Sequence, residues 1–169
     1  MVSVILVAYA ALLATAAAFD VWRFEIPNTI SVALVLSFVG AGLLSPGTID
    51  WLSHGGAALL VFAAGLVMFR FGIAGGGDVK LMAAIALWVG LPLLPLYIVS
   101  VALLGGLLSL VLLGLRALVR VPALARCLPS RMASLPIIAN RRHVPYAVAI
   151  SGAGLLVTGR LPIFMAFAF

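Results

Sequence analysis

The chain has 169 residues, of which 66% are hydrophobic and 8% charged, with a mean hydropathy of +1.35 and a formal net charge of +6. That balance excludes a water-soluble globular domain, and apolar spans with short connections consume the whole length, so a single polytopic membrane domain is expected. One cysteine, Cys127, excludes both an internal disulfide framework and a multi-cysteine zinc site.

A hydrocarbon core about 30 Å thick needs about 20 helical residues per crossing, fewer where flanking side chains snorkel. Residues 2–19 are apolar and stop at Asp20. Residues 26–44 follow and end at the turn-forming Ser45-Pro46-Gly47, and residues 51–69 form a third span, interrupted by Ser53 and His54 near its start and closed by Arg70. From Leu81 to Leu115 no charge occurs over 35 residues. That is too long for one crossing, and Gly90-Leu91-Pro92-Leu93-Leu94-Pro95 is a natural hairpin, so two spans are expected at 79–92 and 96–115. A basic connection, 116–143, leads to a sixth span at 144–159. The last nine residues, 161–169, are apolar but too short to cross, and they are expected to lie along the interface. The reading is all-α, with six transmembrane helices. Residues 1–19 end in Ala16-Ala17-Ala18 but lack the Lys or Arg of a secretory signal, so they are read as a retained span.

Orientation follows from the ten basic residues. Arg23 lies after span 1, Arg70 and Lys80 after span 3, and Arg116, Arg120, Arg126, Arg131, Arg141 and Arg142 after span 5; the second and fourth connections have none. Basic residues favour the cytoplasmic side, so these alternate loops are assigned to the cytoplasm and both termini to the outside. Arg160, the exception, can snorkel at the outer interface.

Only four carboxylates occur: Asp20, Glu25, Asp50 and Asp78. Asp50 and Glu25 read as solvated interfacial charges. Asp20 and Asp78 edge strongly apolar stretches, where a charge is expensive, and the topology puts both on the cytoplasmic face. Two carboxylates held within a few ångströms in a low-dielectric site cannot both ionise. The charged one can take a proton from water as that water attacks a carbonyl, while the protonated one polarises the carbonyl and later donates to the leaving amine. This is aspartic-protease chemistry, and it calls for no metal and no cofactor. Gly75, Gly76 and Gly77 precede Asp78; they permit positive φ and let a substrate backbone approach the acid closely. The run lacks the spacing of a phosphate loop.

Gly75-Gly76-Gly77-Asp78-Val79-Lys80-Leu81 resembles the GxGD signature of prepilin peptidases, membrane aspartic proteases that remove leader peptides from type IV pilins. Asp20-Val21-Trp22-Arg23-Phe24-Glu25-Ile26-Pro27-Asn28 resembles their other signature, an Asp ending a span before a basic loop and Ile-Pro-Asn. Val144-Pro145-Tyr146-Ala147 is similar to the Pro-Tyr-Gly segment that opens the family's last span, with Ala147 in place of glycine; no function is carried onto that position. The resemblance implies that Asp20 and Asp78 are the catalytic pair and that the peptide bond after a leader Gly is cut at the cytoplasmic face of a bacterial inner membrane. It also implies a prepilin or pseudopilin partner. With no CxxC pairs, the chain resembles the short Tad-type enzymes that process Flp pilins, and N-methylation is not expected.

Lys80 has two readings, a bias on the proton of Asp78 or a contact to a substrate carboxylate. Pro27 and Asn28 are expected to start span 2 as a rigid turn and a helix cap. His54 lies on the outer side and reads as structural, while His143 lies near the cytoplasmic face without an assigned role. The six-Arg connection reads as a topology signal in contact with anionic lipid. No groove-reading module accompanies it, so nucleic acid is not an expected partner. The alternatives are a small proton- or ion-coupled transporter, since intramembrane acids and glycine-broken helices also build ion sites, or an inactive secretion scaffold.

Overall fold

The computed structural model describes residues 2–44, 49–120 and 144–161. The turn Ser45-Pro46-Gly47, the interfacial segment beyond Leu161, and Arg126, Cys127, Arg131, Arg141, Arg142 and His143 of the basic connection lie outside the described residues. The described elements are α1 (Val2–Arg23), α2 (Asn28–Leu43), α3 (Trp51–Arg70), α4 (Gly76–Arg120), α5 (Tyr146–Val157) and a closing 3-10 turn (Thr158–Arg160), with no strand among them. This is an all-helical membrane protein. Three of its helices, α1, α3 and α4, are long and apolar enough to cross a bilayer, and α2 is a shorter apolar helix.

α4 is the element that organises the others. At 45 residues, a straight helix would run about 67 Å, twice the hydrocarbon thickness. It is broken at Gly90, whose φ of 71° and ψ of 168° lie outside the helical region. The break exploits a conformation that only glycine adopts without strain. It also interrupts the helical bond from the Leu91 N–H to the Leu87 carbonyl, and a bilayer offers no water to take up the freed groups. α3 supplies both replacements: the Leu91 N–H donates to Ser53 Oγ (3.1 Å), and His54 Nδ1 donates to the Leu87 carbonyl (2.7 Å). The two polar residues that interrupt the apolar run of α3 therefore complete the backbone bonding of α4. His54 is buried, and its ring lies so close to Gly90 that a Cβ there would stand 3.1 Å from it.

The chain turns back at this break. On the first limb, residues 76–89, Ile85 lies against Gly154, near the end of α5. On the second, residues 91–120, Gly105 lies against Tyr146 and Ala149, at the start of α5. The proline pair of the expected hairpin sits just past the turn, inside helix; Pro92 occupies the first helical turn, where its missing N–H costs no bond.

The first limb is buried on almost every side, from Leu81 and Ala83 through Val89. Such a helix is the core of the bundle, and the other helices surround it. Val79 packs where Gly65 of α3 has no side chain; a Cβ there would stand 2.6 Å from Val79 Cγ1. Trp88 donates Nε1–H to the Leu34 carbonyl of α2 (3.0 Å), and its ring lies 4.8 Å from Tyr9 of α1 and 5.5 Å from Phe38. These aromatic contacts gather at one end of the bundle. Asp20 and Asp78 lie at the other.

Two sequence expectations shift. The helix of α4 continues to Arg120, so Arg116 and Arg120 belong to it and not to a loop, because the segment from Leu110 to Val119 contains no proline and a single glycine, Gly114, and Arg116 is itself a good helix former. Asp50 is more than a solvated charge: it caps α3, its Oδ1 accepting from the N–H groups of Leu52 and Ser53 at 3.1 Å each.

Candidate active site

Asp20 lies in the last turn of α1 and is buried. Its Oδ2 accepts the backbone N–H of Ala147 at 2.7 Å, a short bond across 127 positions of sequence. The donor is free because it stands in the first turn of α5, where helical N–H groups have no partner of their own. Pro145 precedes that turn as its cap residue and provides no side-chain cap. The contact is made by the backbone, so alanine serves at position 147 as well as glycine.

Beyond Asp20 the chain leaves α1 through Phe24, whose φ of 54° is the single positive φ of a non-glycine residue among the described residues, and whose N–H donates to the Asp20 carbonyl at 3.0 Å. The left-handed residue ends the helix and costs about 1 kcal/mol. It aims the connection at the glycine turn: Ile26 packs over Gly77, where a Cβ would meet Ile26 Cβ at 3.2 Å.

Asp78 stands three residues beyond Gly75, in the first turn of α4. Its carboxylate accepts from the backbone N–H of Gly75, while the Val79 N–H donates to the Gly75 carbonyl at 3.1 Å. The acid thus supplies the returning half of a capping box, reaching back to the N–H of the cap residue, while the Val79 bond is the first of the helix itself. The carboxylate folds so closely over Gly75 that an added Cβ would stand 2.9 Å from Oδ2. The acid is part-buried and within electrostatic range of Asp20. The fold thus brings together two carboxylates that are 58 positions apart in sequence.

The glycine run acts differently from expectation. None of Gly75, Gly76 and Gly77 has a positive φ; among glycines, that conformation is confined to Gly72 and Gly90 in the described residues. Small size matters instead: Gly75 makes room for the carboxylate and Gly77 for Ile26, while a Cβ on Gly76 would meet Phe69 at an ordinary 3.4 Å.

Lys80 is exposed, and its Nζ donates to Asn28 Oδ1 at 2.9 Å. Two positions separate it from Asp78, about 200° around a helix, so the ammonium lies on the α2 side of the limb, away from the pair of acids. Asn28 is accordingly not the cap of α2: Pro27 holds that position without a side-chain bond, and the amide of Asn28 is engaged by Lys80. Glu25 is exposed in the short connection. Sequence reasoning missed the Ala147 N–H and the Asn28 amide as members of the site. The signal for the first is a proline-opened helix start, which always leaves donors free; nothing local signals the second.

Two carboxylates thus stand within electrostatic range of each other at one end of an apolar helical bundle, each held by a backbone N–H. Residues 7–110 match the type IV leader peptidase family, and the chain belongs to that family. It is a leader peptidase-type protease of the membrane. No curated protein and no solved structure matches the chain.

Proposed function

We propose that the protein is an aspartic endopeptidase that removes the leader from type IV or Flp prepilin-like precursors, using Asp20, Asp78 and a water molecule. The observation that carries this reading is the convergence of the two acids at one end of the bundle, within electrostatic range of each other. Close carboxylates hold one proton between them. The ionised member takes a proton from water as the water oxygen attacks the carbonyl carbon of the leader Gly; the protonated member donates to that carbonyl's oxygen. Collapse of the tetrahedral intermediate expels the amine, which leaves with a proton returned from the pair. The backbone donors at Ala147 and Gly75 hold each acid in one rotamer, so the reacting geometry is fixed before substrate arrives.

The proposal includes six crossings of the bacterial inner membrane, both termini outside, and the acids at the cytoplasmic face. Its support is the placement of nine of the ten cations in alternate connections. Flp-type precursors are preferred because Cys127, the sole cysteine, cannot form the paired CxxC motifs that accompany methylation.

The test co-expresses a tagged precursor with wild type, Asp20→Asn or Asp78→Asn. Asn preserves size and hydrogen bonding but cannot share the proton, so each substitution is expected to reduce cleavage by roughly 100-fold or more. Wild-type-like cleavage in either variant defeats the mechanism, and a dependence on one acid alone favours a carrier. Cysteine accessibility placing positions 20 and 78 on opposite faces defeats the topology.

A further inference from the structure

α3 packs into the bundle along one stripe, His54, Ala57, Val61 and Gly65, at the three- and four-residue spacing of a single helical face. The stripe ends at Gly65. From Leu66 to Ile73 every position is exposed, and all of these residues are apolar or glycine except Arg70. Successive helical residues are about 100° apart, so positions 66–70 alone cover the whole circumference. Another protein's helix would cover one face of such an end; a surrounding apolar medium covers all of them.

The turn that follows is closed as lipid requires. The Phe71 N–H donates to the Val67 carbonyl at 3.2 Å, the Gly72 N–H to the Phe69 carbonyl at 3.0 Å, and the Ile73 N–H to the Met68 carbonyl at 2.9 Å. With Gly72 at a φ of 70°, the last two are the paired bonds of a Schellman cap, so no N–H from Phe71 to Ile73 is left for water. Phe71 and Ile73 flank that glycine at 74% and 69% exposure. By contrast, the α1–α2 connection at the same end of the bundle presents Arg23 and Glu25. From Trp51 to Phe69, α3 runs about 27 Å, close to the hydrocarbon thickness, so Arg70 falls at its boundary and the turn just beyond. The Phe69 ring packs beside Gly76, at the start of the limb that carries Asp78.

We propose that the Phe71–Ile73 turn is inserted at the headgroup–acyl boundary of the leaflet on the acids' side, and that this anchor holds the neighbouring Gly75–Asp78 turn at a fixed depth. Phe71 and Ile73 enter the acyl chains, while Arg70 reaches outward to lipid phosphate. Arg70 is the single charged residue between Asp50 and Asp78, and a cation at this level favours anionic phospholipid. The lipid contact stands without the peptidase reading; its role in setting the depth of the acid rests on that reading.

The experiment uses the full chain with Cys127→Ser, reconstituted in phosphatidylcholine vesicles with or without phosphatidylglycerol, and a nitroxide label at Phe71→Cys, Ile73→Cys or, for comparison, Glu25→Cys. Oxygen concentrates among acyl chains and a nickel chelate stays in water. Relaxation by oxygen is expected to exceed relaxation by nickel at positions 71 and 73, and the reverse at position 25. Nickel-dominated relaxation at 71 and 73 places the turn in water, and an immobile label shielded from both reagents places it against protein; either result overturns the proposal. Arg70→Gln is expected to shift the label at position 73 toward nickel in vesicles that contain phosphatidylglycerol, and an equal response in both lipids overturns the phosphate contact. Phe71→Asp combined with Ile73→Asp is expected to lower cleavage of a tagged precursor about tenfold in vesicles, since a small displacement of the acid suffices, and to leave cleavage unchanged in detergent micelles, which impose no bilayer depth. An equal loss in both media, or no loss in vesicles, overturns the anchoring role. If wild type cleaves no precursor, the peptidase reading fails while the relaxation data still decide the lipid contact.

Discussion

Gly75→Ala separates chemistry from stability, because the atom that the new methyl group meets is the functional one. The added Cβ would stand 2.9 Å from Asp78 Oδ2. A comfortable carbon–oxygen contact requires the carboxylate to withdraw by about 0.5 Å. The end of a side chain moves cheaply, and Gly75 does not have a positive φ, so backbone strain does not arise. Alanine is the poorer cap, which costs about 1 kcal/mol of fold stability. Activity is far more sensitive: a misplacement of about 1 Å costs on the order of 100-fold in rate, so about half that displacement predicts a loss of about tenfold in kcat, with KM little changed. Gly76→Ala is the internal control, since its Cβ meets Phe69 at an ordinary 3.4 Å. The assay is single-turnover cleavage of a tagged precursor in vesicles, followed by gel mobility, alongside a thermal unfolding curve for each variant. The reasoning is refuted if Gly75→Ala cleaves at the wild-type rate, or if Gly75→Ala and Gly76→Ala lose rate equally.

Ala147→Pro removes the N–H that holds Asp20 Oδ2 at a position in the first helical turn of α5, where proline is tolerated; cleavage is expected to fall at least tenfold, with helicity by circular dichroism retained. Gly65→Ala drives a methyl group to 2.6 Å from Val79 Cγ1 at the contact of α3 with the buried limb, and overpacking of this kind is expected to cost about 1–3 kcal/mol, read as a lowered unfolding temperature. His54→Leu strands the Leu87 carbonyl at the Gly90 break and removes a ring packed 5.1 Å from Phe38, with an expected loss of about 1–3 kcal/mol. Ser53→Ala strands the Leu91 N–H of the same broken pair, so a double-mutant cycle with His54→Leu is expected to show coupling; strict additivity would mean that the two bonds do not act on one break.

Membrane residence, the helical class and the two acids were legible along the chain, because hydropathy runs, span lengths and cation placement are one-dimensional quantities. The Gly90 turn was legible for a similar reason: no helix of 35 uncharged residues fits one bilayer thickness. The partners of each acid were not. In lipid, a helix is apolar on the faces it buries and on the faces it exposes, so no periodic pattern says which side meets which neighbour. Thus Ser53 and His54 read as interruptions of a span, and only the packed structure reveals them as the bonding partners of a break some 35 residues away. Asn28 read as a cap and proved to be the anchor of Lys80; the glycines read as sources of positive φ and proved to be spaces for Asp78 and Ile26. The sequence by itself determined the solvent, the helices and the two charges too costly to be incidental. Tertiary structure alone decided that Asp20 meets the N–H of Ala147 and comes within range of Asp78, since that depends on which helix faces touch, and uniform apolarity leaves this unwritten in the chain.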